Sequence, residues 1–374
     1  NVLQLIPTLD RSGAEKQMVL LAKGLPRDRF RVEVATLTRM GPLEAELQEA
    51  GIPVTAIGKR HKVDFLALRE LAQFMKSHHF DIVQTWIFAA NTYGRVAAHL
   101  AKVPVVVVSE MAVDLWKGRS ELFFDRKLAR WCNRIIGNSQ AVYDFYKKIG
   151  IPEERLAMIY SGIDPTTPPP VDGAAVRESL GLPADCPLVL FAGRLAEQKR
   201  VDDLIKALDL LQHVMPELRT IIAGDGDLRE TLENLARSYK LTERVHFLGH
   251  RDDVPRLMAA SNVVVLPSSY EGLPNLILEA MRHSKPVVAT AAPGTTEVVS
   301  DGETGLLVPV GAPQQLAKAL REILRDPELA RRLGEAGHAR LETDFRLDTM
   351  ISQYSDLYES LARERGLLKS QPPG

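Results

Sequence analysis

The feature that most constrains this chain is an alternation that runs from end to end: short apolar runs of strand length, each followed by a stretch with helical periodicity. VLQLIP precedes a helix from about Ala14 to Leu25, VEVATL one near Leu43 to Ala50, DIVQTW one near Tyr93 to Ala101, and VPVVVVS one through Phe124 to Trp131. RIIGNS precedes a helix near Ala141 to Lys148, and LAMIYSGID closes the series. Strands that alternate with helices in this way build βαβ units, and therefore a parallel sheet covered on both faces.

The pattern breaks at DPTTPPPVDG, whose prolines fit neither a helix interior nor a central strand and read as a semi-rigid linker. It then restarts with PLVLFAG, a helix near Val201 to Gln212, LRTIIAGDG, a helix near Leu228 to Ser238, VHFLGH, NVVVLPS, a helix near Leu276 to His283, PVVAT and GLLVPV. A chain of 374 residues has room for two cores. The fold class expected is α/β, with two Rossmann-like doubly wound parallel-sheet domains over residues 1–165 and 166–345. In the tail, 346–365, Met350, Ile351, Tyr354, Leu357, Tyr358 and Leu361 share one helical face, which must pack on its own domain or back on the first.

Composition excludes several classes. A net charge of −1 argues against a nucleic-acid partner, which needs a basic surface. The balance is uneven, since the first 164 residues are net basic and the remainder net acidic, so the first half is the one suited to an anionic partner. The two cysteines, Cys132 and Cys186, fall in different domains, which excludes a disulfide scaffold and a zinc site and fits a reducing compartment. No apolar window reaches transmembrane length and no basic-then-apolar leader opens the sequence, so the expectation is a cytoplasmic protein.

Doubly wound sheets bind ligands beyond the carboxyl ends of their strands, so the loops there are where chemistry is sought. In SSYEGLPNLILEAM a strand ends, Gly272 frees the backbone, and Pro274 suits the first position of a helix over about Asn275 to Arg282. The amides from Gly272 through Leu273 and Pro274 to Asn275 stand at a positive dipole end that suits a phosphate or sugar hydroxyls. Glu279, a turn further on, suits a pair of vicinal hydroxyls, and Glu271 precedes the turn; both glutamates equally fit capping and surface charge. In FAGRLAEQKRVDDL, Arg194 and Lys199 follow a strand and Gly193, where two cations suit a leaving diphosphate and also fit a solvated basic loop. In LDRSGAEKQ, Gly13 opens the first helix like a phosphate-facing turn, without the full GxGxxG spacing of a dinucleotide site. Asp225-Gly226-Asp227 has a metal-binding look, but it lies between a strand and a helix, where cap and loop roles suffice. No metal site is expected.

Taken in order, these stretches resemble the retaining glycosyltransferases called family 4, whose fold is known as GT-B. The resemblance rests on E-GLPNLIL-E, GRL-EQK, NSQAV at Asn138 to Val142, Y-SGID at Tyr160 to Asp164, AGDG at Ala223 to Gly226, and PGTTEVV-DGETGLLV from Pro293 to Val308. It implies two Rossmann-like domains facing a central cleft, with the nucleotide-sugar donor on the second domain and the tail helix returning to the first. It also implies a hexose-type sugar moved from a UDP-sugar, or less commonly a GDP-sugar, to a glycan or lipid-linked acceptor, without a metal or other cofactor. On that basis Arg194 and Lys199 would clasp the diphosphate, Glu279 the ribose, and Glu271 with the backbone of Gly272, Leu273, Pro274 and Asn275 the sugar. Gly193, Gly224 and Gly226 would line the nucleotide site, and Gly13 would bring its amide to the phosphates. A GT-B nucleotide-sugar epimerase and a non-catalytic sugar-nucleotide-binding protein remain the alternatives.

Three positions depart from the family pattern. Ser12 stands where a second glycine is common, Trp86 where a histidine is common, and Glu110 where a histidine close to the sugar is common. Glu110 could serve a sugar hydroxyl, the acceptor or the anomeric carbon, or pair with a cation such as Lys117. Finally, SELFFDRKLARWCNRI sets Leu122, Phe123, Trp131 and Ile135 beside Arg126, Lys127, Arg130 and Arg134. That combination suits peripheral contact of the first domain with the inner face of a membrane, and also a core-facing helix with a solvated basic side.

Overall fold

The computed structural model describes residues 1–368. The chain divides into two compact units, one made of Asn1–Gly162 with the chain from Leu347 onward and the other of Ile163–Arg346. The boundary therefore falls three residues before Thr166, at the foot of the proline-rich segment, and the helix Leu347–Glu364 belongs to the first unit.

The first unit holds a seven-stranded parallel sheet: β1 (Val2–Ile6), β2 (Val32–Thr36), β3 (Val54–Ala56), β4 (Ile82–Trp86), β5 (Val105–Glu110), β6 (Arg134–Gly137) and β7 (Leu156–Met158), in the order β3-β2-β1-β4-β5-β6-β7. Every residue of β1, β4 and β5 is buried, as the uninterrupted apolar runs require of strands covered on both faces. The short edge strand β3 and the helix Phe65–Ser77 are additions to the expected pattern, and the helix Ile87–Ala101 begins nearly two turns before Tyr93.

The returning helix Leu347–Glu364 buries Met350, Tyr354, Tyr358 and Leu361 in the core of this unit, with Ile351 and Leu357 at its margin. Its two tyrosines enter a chain of buried hydrogen bonds. The Trp86 indole N–H donates to Gln4 (2.7 Å), the Gln4 amide donates to the Tyr358 hydroxyl (2.9 Å), and that hydroxyl donates to Gln84. The Gln84 amide then donates to Ser109 (2.7 Å), whose hydroxyl stands 3.4 Å from that of Tyr354. A polar group buried without a partner costs on the order of 1–3 kcal/mol, so this network fixes where the helix seats. It also places Trp86 in the core, sealed from solvent.

The second unit holds a six-stranded parallel sheet of β8 (Leu188–Ala192), β9 (Arg219–Ala223), β10 (Val245–Gly249), β11 (Val263–Leu266), β12 (Val287–Thr290) and β13 (Leu306–Val308), in the order β10-β9-β8-β11-β12-β13. In both sheets the strand order reverses at one place, between β1 and β4 and between β8 and β11, and these are the switch points at which an open parallel sheet takes its ligand. Cys132 and Cys186 are buried free thiols, one in each unit.

Candidate active site

In the second unit, the loops that follow β8 and β11 meet at the switch point. The loop after β8 carries Arg194, which is exposed, and a short turn Glu197–Lys199 that ends on Arg200 in the left-handed region (φ 46°). The loop after β11 carries Glu271. Lys199 Nζ donates to Glu271 Oε1 at 2.6 Å, and both side chains are largely enclosed. Backbone and amide bonds pin the two loops together. The Ser269 N–H donates to the Gln198 carbonyl (2.8 Å), and Gln198 Nε2 donates to the Tyr270 carbonyl (2.7 Å).

The loops after β9 and β12 close on the same place. The Gly193 N–H donates to the Ala223 carbonyl (2.9 Å), and the Leu195 N–H donates to the Asp225 carbonyl (2.9 Å). Gly224 has φ 142°, and a Cβ there would stand 1.9 Å from the Gly193 carbonyl oxygen, so only glycine fits between these loops. Gly226 follows with its N–H bonded to the Asp225 carboxylate (2.8 Å), which also pairs with Arg229 (3.0 Å). Asp225 thus works within its loop, while the cap position of the next helix falls on Leu228. From the other side, the Glu271 N–H donates to the Pro293 carbonyl (3.0 Å), and Gly294, at φ 79°, presses on Gly272 so closely that a Cβ would lie 2.0 Å from its carbonyl oxygen.

The helix after this loop spans Asn275–Arg282, with Pro274 as its N-cap, one position earlier than the sequence pattern places it. Gly272, Leu273 and Pro274 are buried, and so are Leu276, Ile277 and Leu278. Asn275 and Glu279, one turn apart, are only half-buried and share the partly open stripe of this segment. The second unit therefore gathers Gly193, Arg194, Lys199, Gly224, Gly226, Glu271 and the 272–279 segment around one strand-end region. Gly294 is a further member that the sequence reading quotes without a role. Its signal is the glycine of PGTTE, four residues beyond the end of β12.

In the first unit, Gly13 opens the helix Gly13–Gly24, with Ser12 at the N-cap. Glu15 in the first turn is buried and takes the hydroxyl bond of Ser12, and burial raises its carboxyl above the usual range. The loop is tied further by Arg39, whose guanidinium grips Asp10 at 2.6 Å. The sequence reading gives Glu15 no role, and only its place in the first helical turn hints at one.

Glu110 is the last residue of β5 and is buried in a cluster of charges. Lys117 Nζ stands 3.8 Å from Glu110, 2.6 Å from Asp114 and 2.8 Å from Asp125, and it donates to the Tyr146 hydroxyl at 2.6 Å. Arg95 holds the other oxygen of Asp125 at 2.7 Å. Glu110 and Lys117 thus form an ion pair in the resting protein. Burial pushes its carboxyl up to about 7 in spite of the attraction of Lys117. Gly13 and Glu110 belong to the first unit, and the group around Lys199 and Glu271 to the second.

Two all-parallel sheets of Rossmann type, each with a switch point in its strand order, define the architecture of a GT-B protein. Solved structures carry the same fold: Anabaena Alr3699/HepE in complex with UDP-glucose superposes with a TM-score of 0.87 at 26% identity, over 96% of this chain and 99% of that one. Residues 11–167 match glycosyltransferase family 4 and residues 173–340 match the glycosyl transferases group 1. The alpha-D-kanosaminyltransferase of Streptomyces kanamyceticus is 30% identical over 73% of this chain and 75% of its own. The lipopolysaccharide core biosynthesis glycosyltransferase LpsE of Rhizobium meliloti is 37% identical over 50% of this chain, a match that spans about half, 54%, of that relative. The chain belongs to the family 4 glycosyltransferases.

Proposed function

We propose that the protein is a retaining glycosyltransferase that moves a hexose-type sugar from a nucleotide-diphosphate-sugar, UDP in preference to GDP, to a glycan or lipid-linked acceptor, without a metal or cofactor. The observation that carries this reading is the meeting of Lys199 and Glu271 at the switch point of the second sheet. A cation and a carboxylate held there by two pinned loops suit the two halves of a donor, the diphosphate and the sugar hydroxyls. The donor class is supported by Alr3699/HepE, whose structures contain UDP, UDP and glucose, and UDP-glucose.

In this reading Arg194 and Lys199 neutralise the diphosphate as its bond to the anomeric carbon breaks, which is where negative charge accumulates. Glu271 and the backbone from Gly272 to Asn275 hold the sugar, and Glu279 takes the ribose hydroxyls from the same open stripe as Asn275. Gly193, Gly224 and Gly226 let the base and ribose approach the backbone, and Gly13 lends its amide to the phosphates. A screen of nucleotide-sugars by thermal stabilisation tests the donor class, because a ligand at 100 times its Kd adds about 2.7 kcal/mol. UDP-sugars are expected to stabilise, and donor turnover is expected to require an acceptor. Stabilisation by none of them would sink the reading, and acceptor-free conversion would transfer it to an epimerase.

Two protein cations on the diphosphate leave no charge for a divalent ion to supply. Turnover is therefore expected to remain mostly intact in EDTA, as read in a donor-consumption assay. Complete loss that manganese restores would overturn the metal-independent mechanism and return attention to Asp225 and Asp227.

Glu110 enters the proposal as a carboxylate of the acceptor side whose charge is used only when it is ionised. With its carboxyl pushed up to about 7, turnover should rise with pH through neutrality. Glu110→Gln keeps the shape and one carbonyl acceptor, and it is expected to cost at least about tenfold in turnover, or about 1.4 kcal/mol, with donor affinity little changed. The same substitution has a stability signature of known sign. A carboxyl raised in the folded state contributes stability below its unfolded value that is lost as pH rises through about 7. Glu110→Gln should thus gain on the wild type in thermal melts between acidic and alkaline pH. Gain in stability with full turnover would leave Glu110 a structural residue only.

A further inference from the structure

The first unit carries an unusual surface outside the groups described above. Phe65 and Leu66, at the start of the helix Phe65–Ser77, are 78% and 72% exposed, and Trp116 is 59% exposed. In the helix Arg119–Leu128, Phe123 and Phe124 are about half exposed. The helix turns Asp125 and Leu128 inward and presents Phe123 and Phe124 to solvent. The apolar set also differs from the one its sequence pattern suggests, for Ile135 is buried in β6 and the half-buried Trp131 stacks on His99 with ring centres 4.4 Å apart.

The exposed groups belong to one face. The helix Ile87–Ala101 lies behind both segments. Its Tyr93 hydroxyl accepts from the Asp64 N–H (2.7 Å) and donates to the Lys62 carbonyl (3.2 Å), while its Phe88 ring meets Trp116 edge-on at 5.3 Å. Lys62 also lies within electrostatic reach of Glu121 at the start of the basic helix. Cations surround the apolar groups. Lys59, Arg60 and Lys62 stand against Asp64 in the first segment. On the helix, Arg119, Phe123, Arg126 and Lys127 fall on one stripe, and the Lys127 amine sits 5.5 Å over the Phe123 ring.

We propose that this face docks on an anionic lipid bilayer, with Phe65, Leu66, Trp116 and the two phenylalanines entering the boundary between headgroups and acyl chains, and the cations around them meeting lipid phosphates. Charge selects this occupant. A second copy of the chain would set the same lysines and arginines against themselves, and a nucleic acid gains nothing from Leu66 or from the neighbouring Val63 and Leu115. The inference is independent of the donor chemistry and stands or falls without it.

The test is flotation of the full chain with phosphatidylcholine vesicles containing about one-third phosphatidylglycerol, at low and at high salt. Binding is expected at low salt, weaker at high salt and absent with phosphatidylcholine alone. The emission of Trp116 should shift to shorter wavelength on binding, and Trp116→Phe should abolish the shift while Trp86 and Trp131 remain. The double substitution Phe65→Ser with Leu66→Ser touches only exposed side chains, and it should lower vesicle partitioning by about tenfold or more without changing the melting temperature. No flotation at low salt overturns the proposal, as does equal flotation of the double variant. A concentration-dependent dimer that the double variant breaks, with no vesicle binding, assigns the face to self-association and likewise overturns it.

Discussion

Alanine in place of Lys199 is expected to lower turnover by about 10²–10³-fold while nucleotide affinity falls far less, and Arg194→Ala should behave alike. The two cations do different work in the resting protein. Lys199 is held by Glu271 at 2.6 Å, so its amine waits in place, and alanine would leave a largely enclosed carboxylate without its partner. Arg194 is exposed and forms no ion pair among the described residues, so its charge is available to an incoming phosphate without breaking a bond. Steady-state kinetics with saturating donor separates the cases. Turnover of Lys199→Ala within about twofold of wild type would remove the residue from the mechanism.

Lys117→Met is expected to cost about 3–5 kcal/mol of stability, the largest loss anticipated from any single change in the first unit. Its amine is wholly buried among Glu110, Asp114 and Asp125, with Arg95 engaged on the far side of Asp125. Removing one partner strands carboxylates in a medium that cannot solvate them, and methionine fills the space without supplying charge. Urea denaturation followed by circular dichroism measures the loss. A cost below about 1 kcal/mol would mean that the cluster behaves like solvated surface pairs.

Much of the sheet architecture is legible in the sequence, because VLQLI and VVVVSE are continuous apolar runs whose burial on both faces leaves little choice of fold. What escaped had weak or misleading patterns. β3 is three residues at a sheet edge, half in water, with no apolar run to mark it. In the helix Phe65–Ser77 the core takes only Ala67, Leu71 and Met75, while the bulky Phe65 and Leu66 point out of register with that stripe and blur the period. At the candidate site the residue types and the turn around Pro274 were legible. Contact between Lys199 and Glu271 was not, since the residues are 72 apart and meet only because β11 crosses over to lie beside β8. The pairing of Glu110 with Lys117 could be named as an alternative from their spacing. Asp125, Arg95 and Tyr146 join them from elements whose approach no local pattern records.

The helix Leu347–Glu364 has a consequence for how the protein is made. A ribosome delivers the first unit's sheet early, yet the seat of Tyr354 and Tyr358, with Gln4, Gln84 and Ser109 lining it, stays vacant until the whole of residues 163–346 has been translated. The second unit is contiguous and can close on itself while the first still waits for its last piece. Completion therefore runs against the order of synthesis, and a chain cut short before Leu347 leaves an apolar trough with unmatched amides, a substrate for chaperones and proteases.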